Sequence, residues 1–287
     1  MQIPVKKNDA SVPWAHLRIP PFPQVAIRVL QLANNEKVRL TQLSELISSD
    51  AAFASEVLTV ANSLLYAPRF PSKSILQAIS VLGSHHLQGM CMTVGMRAYL
   101  GRGLSDAAMR SLWRHSLACA LIAERLAGAG GAKGDNAYTS GVLHDVGRFA
   151  LAVIRPKEYT DLLGKHEGPA ASMLEEEAEL FGFNHCEVGN KLIVDWKLSS
   201  EFGPIVSDHH SPRHTDGAVG CWNMSELIKV SCCLADSIGF PAFPGCIPKP
   251  YEELLDLLPP GELSQLPDGA ELLEEDVSAR IQGVESV

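Results

Sequence analysis

The chain has 287 residues, of which 46% are hydrophobic and 20% are charged, and this composition supports a sizeable folded core. Its net charge of -9 argues against nucleic acid as a main partner, because nucleic-acid-binding proteins present a basic face to the phosphates. No apolar run has the length of a transmembrane helix, and the N-terminus lacks the apolar core of a signal peptide. We therefore expect a cytoplasmic protein that does not associate with membranes.

The number and spacing of the cysteines agree with a cytoplasmic protein. The chain has seven cysteines, an odd number, and no two of them are spaced as a CxxC pair. Cys232 and Cys233 are adjacent and lie in an apolar stretch. This pattern predicts reduced, buried thiols and not a disulfide framework.

Helical patterns fill the first hundred residues after an extended lead-in. Side chains that can accept hydrogen bonds from free backbone N–H groups predict helix starts at Thr41, Asp50 and Ser74. Gly83 predicts a helix end, because glycine adopts a positive φ without strain. Apolar residues at helical spacing predict helices at 25–34, 43–50, 51–66, 75–83 and 84–100.

A break at 101–106 precedes a second helical series. The stretch GAGGAKGD lacks the GKS or GKT ending of a phosphate-binding loop, and we interpret it as a linker. The glutamate run at 175–177 is predicted to face solvent. Neither a strand pattern nor an internal repeat is evident, so we predict an all-α, globular multi-helix array. The main predicted helices lie at 106–128, 136–154, 168–182, 184–199, 200–213 and 222–240, with a short one opening at Pro156.

The stretch GVLHDVGRFAL, residues 141–151, contains His144 and Asp145 among apolar and small residues. On the single helix predicted here, the apolar side chains can pack while the two polar side chains share one edge. An imidazole beside a carboxylate offers one neutral nitrogen and one anionic oxygen, which are donors suited to Fe, Mn, Zn, Ni or hydrated Mg. The structural alternative is a hydrogen-bonded pair inside the helix.

Further donors could join this pair from other predicted helices or helix ends. A carboxylate on an otherwise apolar helix face, such as that of Asp236, is costly unless it is paired or bound to a cation. Helical proteins build metal sites from side chains that several helices contribute. The additional candidates are His115, His185, His209, His210 and Asp236.

Each additional candidate also has a structural alternative. His115 could be a core histidine bonded to a carbonyl group, and His185 could be exposed at a helix N-terminus. The histidines at 209–210 could be solvated at a helix C-terminus, where imidazolium suits the helix dipole. Asp236 could pair with an arginine such as Arg148.

The order His115, then His144–Asp145, then Asp236 resembles the H…HD…D pattern of the HD superfamily of helical metal-dependent phosphohydrolases. The chain resembles more closely the HDOD family, the HD-related output domains of bacterial signalling. The motifs that carry the resemblance, in chain order, are IPPFPQVAIRVLQL, SSDAAFASEVLTVANSLLY, SILQAISVLG, LWRHSLACALIAERLA, AYTSGVLHDVGRFAL, HCEVGNKLIVDWKLS and DHH.

The resemblance covers residues 18–240 and implies an all-α domain. Its N-terminal helical part would span 18–102, and an HD-like helical part carrying the metal motif would span 103–240. Residues 1–17 would be a lead-in, and residues 241–287 a Pro-rich linker followed by an acidic, helical C-terminal segment.

The resemblance also implies a metal site. It implies one or two divalent metal ions, Fe, Mn, Ni, Zn or Mg, held by His115, His144, Asp145 and Asp236. The residues that stand in the order of the extra histidine ligands of the HD-GYP cyclic-di-GMP phosphodiesterases, and that would complete a second position, are His185, His209 and His210. Arg148 would contact a substrate phosphate, since guanidinium pairs well with phosphate.

Three departures count against phosphodiesterase activity. The GYP loop is missing after the paired histidines, where the chain has HHSPRHTDG. Arg148 stands where catalytic relatives usually carry lysine, and Ser111 stands where HD-GYP proteins tend to place a carboxylate ligand.

We therefore predict a bacterial signal-transduction output module that acts through protein–protein interaction and carries a vestigial or sensory metal site. Its N-terminal helices would form the docking surface. The expected partners are other signalling proteins, namely kinase, receiver or cyclic-di-GMP turnover proteins. One alternative is a metal-dependent phosphohydrolase acting on a nucleotide or cyclic dinucleotide, with metal-bound water as the nucleophile. A second alternative is a helical scaffold without metal.

Overall fold

The structure is a computed structural model that describes residues 19, 21–33, 37–128, 136–168, 172–210 and 223–286. The predicted lead-in at 1–17 and nearly all of the GAGGAKGD stretch lie outside this part of the chain. The predicted all-α fold is confirmed. Among the described residues, no helix combines the length and the apolar character needed to cross a bilayer.

Five helices form the N-terminal half. They are α1 (Gln24–Ala33), α2 (Leu40–Ser48), α3 (Ala51–Ala61), α4 (Ile75–Leu82) and α5 (Ser84–Leu100). Their apolar faces contribute to one core, which continues into the second half of the described chain. The periodicity of apolar residues thus identified all five helices, but α3 ends at Ala61, five residues before its predicted end.

The predicted helix starts have different outcomes. The Asp50 carboxylate accepts a hydrogen bond from the Phe53 N–H at 3.0 Å, and the Ser74 hydroxyl accepts one from the Gln77 N–H at 3.2 Å. Both starts are confirmed. The start at Thr41 is wrong, because α2 already begins one residue before it. A side-chain amide in the first turn of α2, and not the threonine hydroxyl, accepts from the free N–H at that end.

The second half begins with a short 3-10 helix at Gly101–Ser105, followed by α6 (Ala107–Ala127). Most side chains of α6 are buried, and α6 packs against both α7 and α13. The helices that follow α6 are α7 (Ala137–Leu143), α8 (Val146–Ile154), α9 (Pro156–Lys165), α10 (Met173–Phe181), α11 (His185–Asp195), α12 (Phe202–Asp208) and α13 (Met224–Ser237).

The prediction of one helix over 136–154 is wrong. α7 ends before His144, and α8 begins after Asp145. The backbone of Asp145 has φ -101° and ψ 18°, which departs from helical geometry. The break falls on the two residues of the motif, so their side chains leave the backbone at the junction of two helices and not from one edge of a continuous helix.

Glycines let the helices around this junction approach closely. A Cβ at Gly141 in α7 would collide with the backbone of Ala120 in α6. A Cβ at Gly147 in α8 would collide with the carbonyl of His185 and would lie 2.8 Å from the nitrogen of Gly189, both in α11. The backbones of α8 and α11 therefore lie in direct contact, and this contact fixes where the motif stands relative to α11.

The remaining elements pack onto the same body. They are β1 (Glu167–Gly168), β2 (Gly245–Cys246), α14 (Tyr251–Leu255), α15 (Pro260–Leu263) and α16 (Ala270–Glu285). The strands pair in parallel, with Glu167 opposite Gly245. In α16, the apolar face is buried, and Arg280 donates to the Leu65 carbonyl at 3.1 Å and to Glu124 at 2.9 Å. The C-terminal helix thus bridges the N-terminal half and α6.

Candidate metal centre

Two groups of donor atoms converge at the α7–α8 junction. In the histidine–aspartate cluster, one ligand atom of each member lies within 4.8 Å of those of the others; its members are Asp145, His185, His209 and His210. The histidine–cysteine cluster meets the same distance limit, and its members are His115, His144 and Cys232. The clusters adjoin, because Nε2 of His144 lies 3.3 Å from Oδ2 of Asp145. The structure thus brings together six of the seven predicted ligands.

The spacing in the histidine–aspartate cluster suits a metal ion. Nε2 of His185 and Nε2 of His209 each lie 3.5 Å from Oδ1 of Asp145. Nε2 of His210 lies 3.1 Å from Nε2 of His185. Metal–nitrogen bonds of about 2.0–2.1 Å place neighbouring ligand atoms about 3 Å or slightly more apart.

His209 places a buried nitrogen lone pair at this cluster. Burial lowers the pKa of His209 to about 4, so the ring is neutral at neutral pH. Its Nδ1 donates to the Val206 carbonyl at 3.0 Å, which leaves a lone pair on Nε2. That lone pair faces a carboxylate oxygen of Asp145 and has no hydrogen-bond partner among the described residues. A bound cation would satisfy both electron-rich atoms.

The other rings are oriented in the same way. Nδ1 of His144 donates to the carbonyl of Gly141 at 2.6 Å, and Nδ1 of His185 donates to Oε2 of Glu177 at 2.6 Å. In each case the opposite nitrogen turns towards the centre. Such outer hydrogen bonds fix the tautomer and the ring orientation of metal-ligating histidines. The alternative of an exposed His185 is wrong, because its side chain is fully buried.

Glu177 is a site residue that sequence reasoning missed. The prediction of a solvated glutamate run is wrong for this residue, which is fully buried and also accepts from the Tyr159 hydroxyl at 2.7 Å. Burial raises the pKa of Glu177, but His185 and Arg148 outweigh burial and lower the pKa to about 2. One signal could have found it: Glu177 lies one helical turn after Met173, a fully buried residue of α10.

Arg148 lies inside the centre. It is fully buried, its Nε donates to Oδ1 of Asp145 at 2.9 Å, and its Nη1 lies 3.8 Å from Oε1 of Glu177. Its Nη2 lies 3.5 Å from Nε2 of His210. Burial raises the pKa of Asp145, but Arg148 and His144 outweigh burial and hold it well below its usual range. The guanidinium therefore faces the protein's own carboxylates, and its predicted contact with a substrate phosphate stays a prediction.

Cys232 is the second residue that sequence reasoning missed. It belongs to the histidine–cysteine cluster, and its Sγ lies 3.3 Å from Sγ of Cys119. Burial raises the pKa of the Cys232 thiol, so the thiol is protonated at neutral pH unless a cation binds. The signal for it is spacing, because Cys232 precedes Asp236 by one turn of α13.

Asp236 belongs to neither cluster. Its Oδ1 lies 3.3 Å from Nδ1 of His115 and accepts from the Ala242 N–H at 3.2 Å. Nδ1 of His115 also bonds the Phe240 carbonyl, at 2.8 Å. Burial lowers the pKa of His115, but Asp236 outweighs burial and raises it to about 10. Asp236 thus holds His115, and its ligation of a metal stays a prediction. The suggested pair of Asp236 and Arg148 is not the arrangement found, because Arg148 pairs with Asp145.

The domain family described as HDOD domain matches residues 19–212. The chain belongs to the HDOD family. A protein of Treponema pallidum described only as uncharacterized is 23% identical over 201 residues, which make up 68% of this chain and 38% of that relative. This HDOD chain thus corresponds to well under half of that relative's length.

Solved structures with the same fold include an HDOD domain protein of unknown function from Geobacter sulfurreducens, with 21% identity, a TM-score of 0.69 and coverage of 93% of this chain and 91% of that one. A Shewanella amazonensis protein provisionally named a phosphohydrolase has 20% identity, a TM-score of 0.65 and coverage of 93% and 94%. A Marinobacter aquaeolei protein provisionally named a signal transduction protein has 22% identity, a TM-score of 0.62 and coverage of 94% and 58%. At sequence identities of 20–22%, the similarity to these structures shows that the chain shares their fold and nothing beyond it.

The donors of this HDOD domain fit a transition metal better than magnesium. Imidazole nitrogen suits Zn, Fe, Ni and Cu, and a thiolate suits Zn still more. Mg²⁺ requires oxygen ligands, and the histidine–aspartate cluster offers the oxygens of a single carboxylate. The residues that would hold a metal are His185, His209, His210 and Asp145, with His115, His144 and Cys232 beside them.

Proposed function

We propose that this HDOD domain is a bacterial signal-transduction output module that holds a transition metal as a structural or sensory element and does not turn over a phosphoester. The observation that carries this proposal is the Arg148 guanidinium, which is buried between Asp145 and Glu177. The Arg148 guanidinium would therefore share the Asp145 carboxylate with a bound metal and leave that metal held mainly by imidazole nitrogens.

The burial of the centre supports the same proposal. Metal-dependent hydrolysis needs an open coordination position for water and a route for the substrate. Five of the donor residues expose 2% or less of their surface; they are His115, His144, Asp145, His185 and His209. Such burial favours a role in which the metal stabilises an arrangement of helices over one in which it meets a phosphoester.

Side chains from several helices would hold a bound metal, which would supply a Lewis acid at their junction. Asp145 would keep its negative charge next to Arg148, because the guanidinium holds its pKa well below the usual range. Glu177 would hold the ring of His185 from the side opposite the metal. Metal occupancy would thereby favour one packing of α8, α11 and α12. A change in this packing could alter a docking surface distant from the metal.

The partners we propose are other signalling proteins, namely kinase, receiver or cyclic-di-GMP turnover proteins, which would dock on the N-terminal helices. Exposed large apolar side chains support this choice of surface. In the stretch 64–81 they are Leu64, Phe70, Leu76 and Val81, and Phe70 is 72% exposed. We propose that these four side chains form one apolar patch, since contiguous exposed apolar patches mark interaction surfaces.

The first test is the metal content of the purified full-length protein by inductively coupled plasma mass spectrometry. We expect a transition metal in the wild type and a large loss of it in His209→Ala. His86→Ala is the matched control, because His86 is exposed and lies outside both clusters. Wild-type protein that neither retains nor takes up a metal would support a metal-free scaffold instead.

The second test addresses the docking surface. We expect Phe70→Asp to abolish co-purification with a signalling partner, because a charge there opposes burial in an interface. Ile247→Asp is the control, since Ile247 is 70% exposed but lies in the C-terminal part. Equal recovery of the partner by both variants would exclude the N-terminal surface.

A metal-dependent phosphohydrolase acting on a nucleotide or cyclic dinucleotide is the second candidate function. The observation that favours it is the position of Asp145, whose two oxygens face different clusters. A carboxylate in this position could serve two metals, as in two-metal hydrolases. This candidate predicts hydrolysis by metal-loaded wild type that His144→Ala abolishes.

A further inference from the structure

A cavity of about 520 Å³ lies on another part of the molecule, where the end of α5, the start of α6, the residues after α13 and the end of α16 meet. Three arginines line it: Arg97 from α5, and Arg110 and Arg114 from consecutive turns of α6. Glu285, the last residue of α16, contributes the one carboxylate among the lining residues. We call this cavity the arginine pocket.

Two of the three guanidinium groups have only neutral partners. Arg97 donates through Nη1 to the carbonyl of Val284 at 3.1 Å. Arg110 donates through Nη1 to the carbonyls of Leu104 and Ser105, at 3.0 and 2.6 Å. These bonds orient the side chains, but they leave both positive charges without a carboxylate partner among the described residues.

Arg114 contacts Glu285, the one acid among the described residues that line the pocket. Its Nε lies 3.5 Å from Oε1 of Glu285, beyond good hydrogen-bonding distance, and has no hydrogen-bond partner in the described part of the chain. Its guanidinium carbon lies 5.5 Å from the ring centroid of Phe240, and that ring also lines the pocket. The contact with Phe240 holds the guanidinium at the pocket wall and leaves its N–H groups available.

The charge of this pocket is unusual for the molecule. The whole chain carries a net charge of -9, yet the pocket gathers three guanidinium groups against one carboxylate. Arg110 and Arg114 are four residues apart on α6, where two like charges repel and destabilise a helix. A bound anion would remove this repulsion, and arginine matches phosphate and carboxylate groups with paired hydrogen bonds.

We propose that the arginine pocket binds a small organic anion with two negatively charged groups, either phosphate or carboxylate, and that Glu285 competes with this ligand for Arg114. The cavity volume falls within the range of about 300–1,000 Å³ typical of small-molecule sites. Leu104, Trp113 and Phe240 supply an apolar wall for the carbon part of the ligand. Phe240, which lines the pocket, accepts a hydrogen bond from His115 through its carbonyl. Among the described residues, however, the arginine side chains of the pocket form no hydrogen bond or ion pair with a donor of either cluster, so the proposal does not rest on the metal centre.

The test is isothermal titration of the full-length protein with inorganic pyrophosphate and, separately, with succinate. We expect at least one probe to bind, and the probe that binds tells whether the ligand carries phosphate or carboxylate groups. Arg110→Gln and Arg114→Gln should each weaken binding by about tenfold or more. Glu285→Gln should strengthen it severalfold, because it removes the competing carboxylate without changing the size of the side chain.

Arg155→Gln is the matched control, because Arg155 pairs with Glu158 away from the pocket and its side chain is 41% exposed. It should leave binding unchanged. Circular dichroism of each variant verifies that it is folded. The proposal is overturned if neither probe binds the wild type, or if folded Arg110→Gln and Arg114→Gln bind as tightly as the wild type.

Discussion

Arg148 is a buried cation among the candidate metal donors, and its energetics differ from those of a surface arginine. Removal of one partner of a buried ion pair costs about 3–5 kcal/mol, because the other partner is left as an uncompensated buried charge. Here two carboxylates, Asp145 and Glu177, depend on the same guanidinium. A metal ion would compete with Arg148 for Asp145, so stability and metal affinity should change in opposite directions when Arg148 is removed.

We predict that Arg148→Met lowers the free energy of unfolding of the metal-free protein by about 3–5 kcal/mol and that added Zn²⁺ restores much of the loss. Urea unfolding with and without Zn²⁺ measures both effects. Arg155→Met is the control, and it should cost less than about 1 kcal/mol, because its ion pair is exposed. A metal-free Arg148→Met protein as stable as the wild type would refute this view of the guanidinium.

The neighbouring residues Cys232 and Cys233 allow a test of whether the histidine–cysteine cluster binds metal through a thiolate. We predict that the Co²⁺-loaded wild type shows thiolate-to-cobalt charge-transfer absorption, that Cys232→Ser loses it and that Cys233→Ser keeps it. The reason is that Cys232 belongs to the cluster with His115 and His144, whereas Cys233 belongs to neither cluster. An identical spectrum for the two variants would mean that Cys232 is not a ligand.

For individual residues, the sequence identified candidate donors where they are adjacent in the chain. His144 and Asp145 are adjacent in the chain, and the histidines at 209–210 form a second pair, so local sequence exposes them. Glu177 and Cys232 could not be identified in this way. Glu177 reaches the site because its face of α10 packs against α11, and Cys232 reaches it because its face of α13 packs against α6. This packing cannot be predicted from the residue type.

At the scale of elements, apolar periodicity predicted nearly every helix but could not reveal the break between α7 and α8. The apolar residues continue through His144 and Asp145 without a proline, so the pattern indicates one helix. Asp145 is of a residue type favoured at helix starts, but its side chain caps no backbone N–H of α8. The break depends on tertiary contacts instead. Gly141 allows α7 to touch α6, and Gly147 allows α8 to touch α11, so each helix packs against a different neighbour.

We predict that Gly147→Ala destabilises the protein by about 1–3 kcal/mol or more and lowers its metal content, because the added methyl group forces α8 away from α11 and His185 away from Asp145. Thermal unfolding and elemental analysis measure the two effects. Gly164→Ala in α9 is the control, since a Cβ there meets nothing within 4 Å. It should leave stability unchanged or raise it by up to about 1 kcal/mol. Equal behaviour of the two variants would contradict the close contact of α8 and α11.

At the scale of the whole molecule, α16 extends the core beyond the residues that match the HDOD family. Leu273, Val277, Ile281 and Val284 are buried, and each buried side chain of this size contributes about 1.5–3 kcal/mol. The sequence suggested an acidic helix here but gave no partner for it. Its partners are the turn after α3 and the outer face of α6, which come together only in the folded chain.

We predict that deletion of residues 270–287 lowers the free energy of unfolding by several kcal/mol, because it exposes the core beneath α16. Urea unfolding of the truncated and full-length proteins measures the loss. Deletion of 286–287 alone should have little effect, since Ser286 is exposed. A truncated protein with an unchanged unfolding midpoint would show that α16 does not support the domain.

Metal binding without phosphoester turnover is the function that we propose for this HDOD domain. It is tested most directly by a hydrolysis assay of the full-length protein loaded with Zn²⁺, Fe²⁺, Mn²⁺ or Ni²⁺, with nucleotides and cyclic dinucleotides as substrates. We predict that the wild type binds metal stoichiometrically and releases product no faster than the His144→Ala variant does. Hydrolysis by the wild type that His144→Ala abolishes would contradict the claim and establish the phosphohydrolase instead.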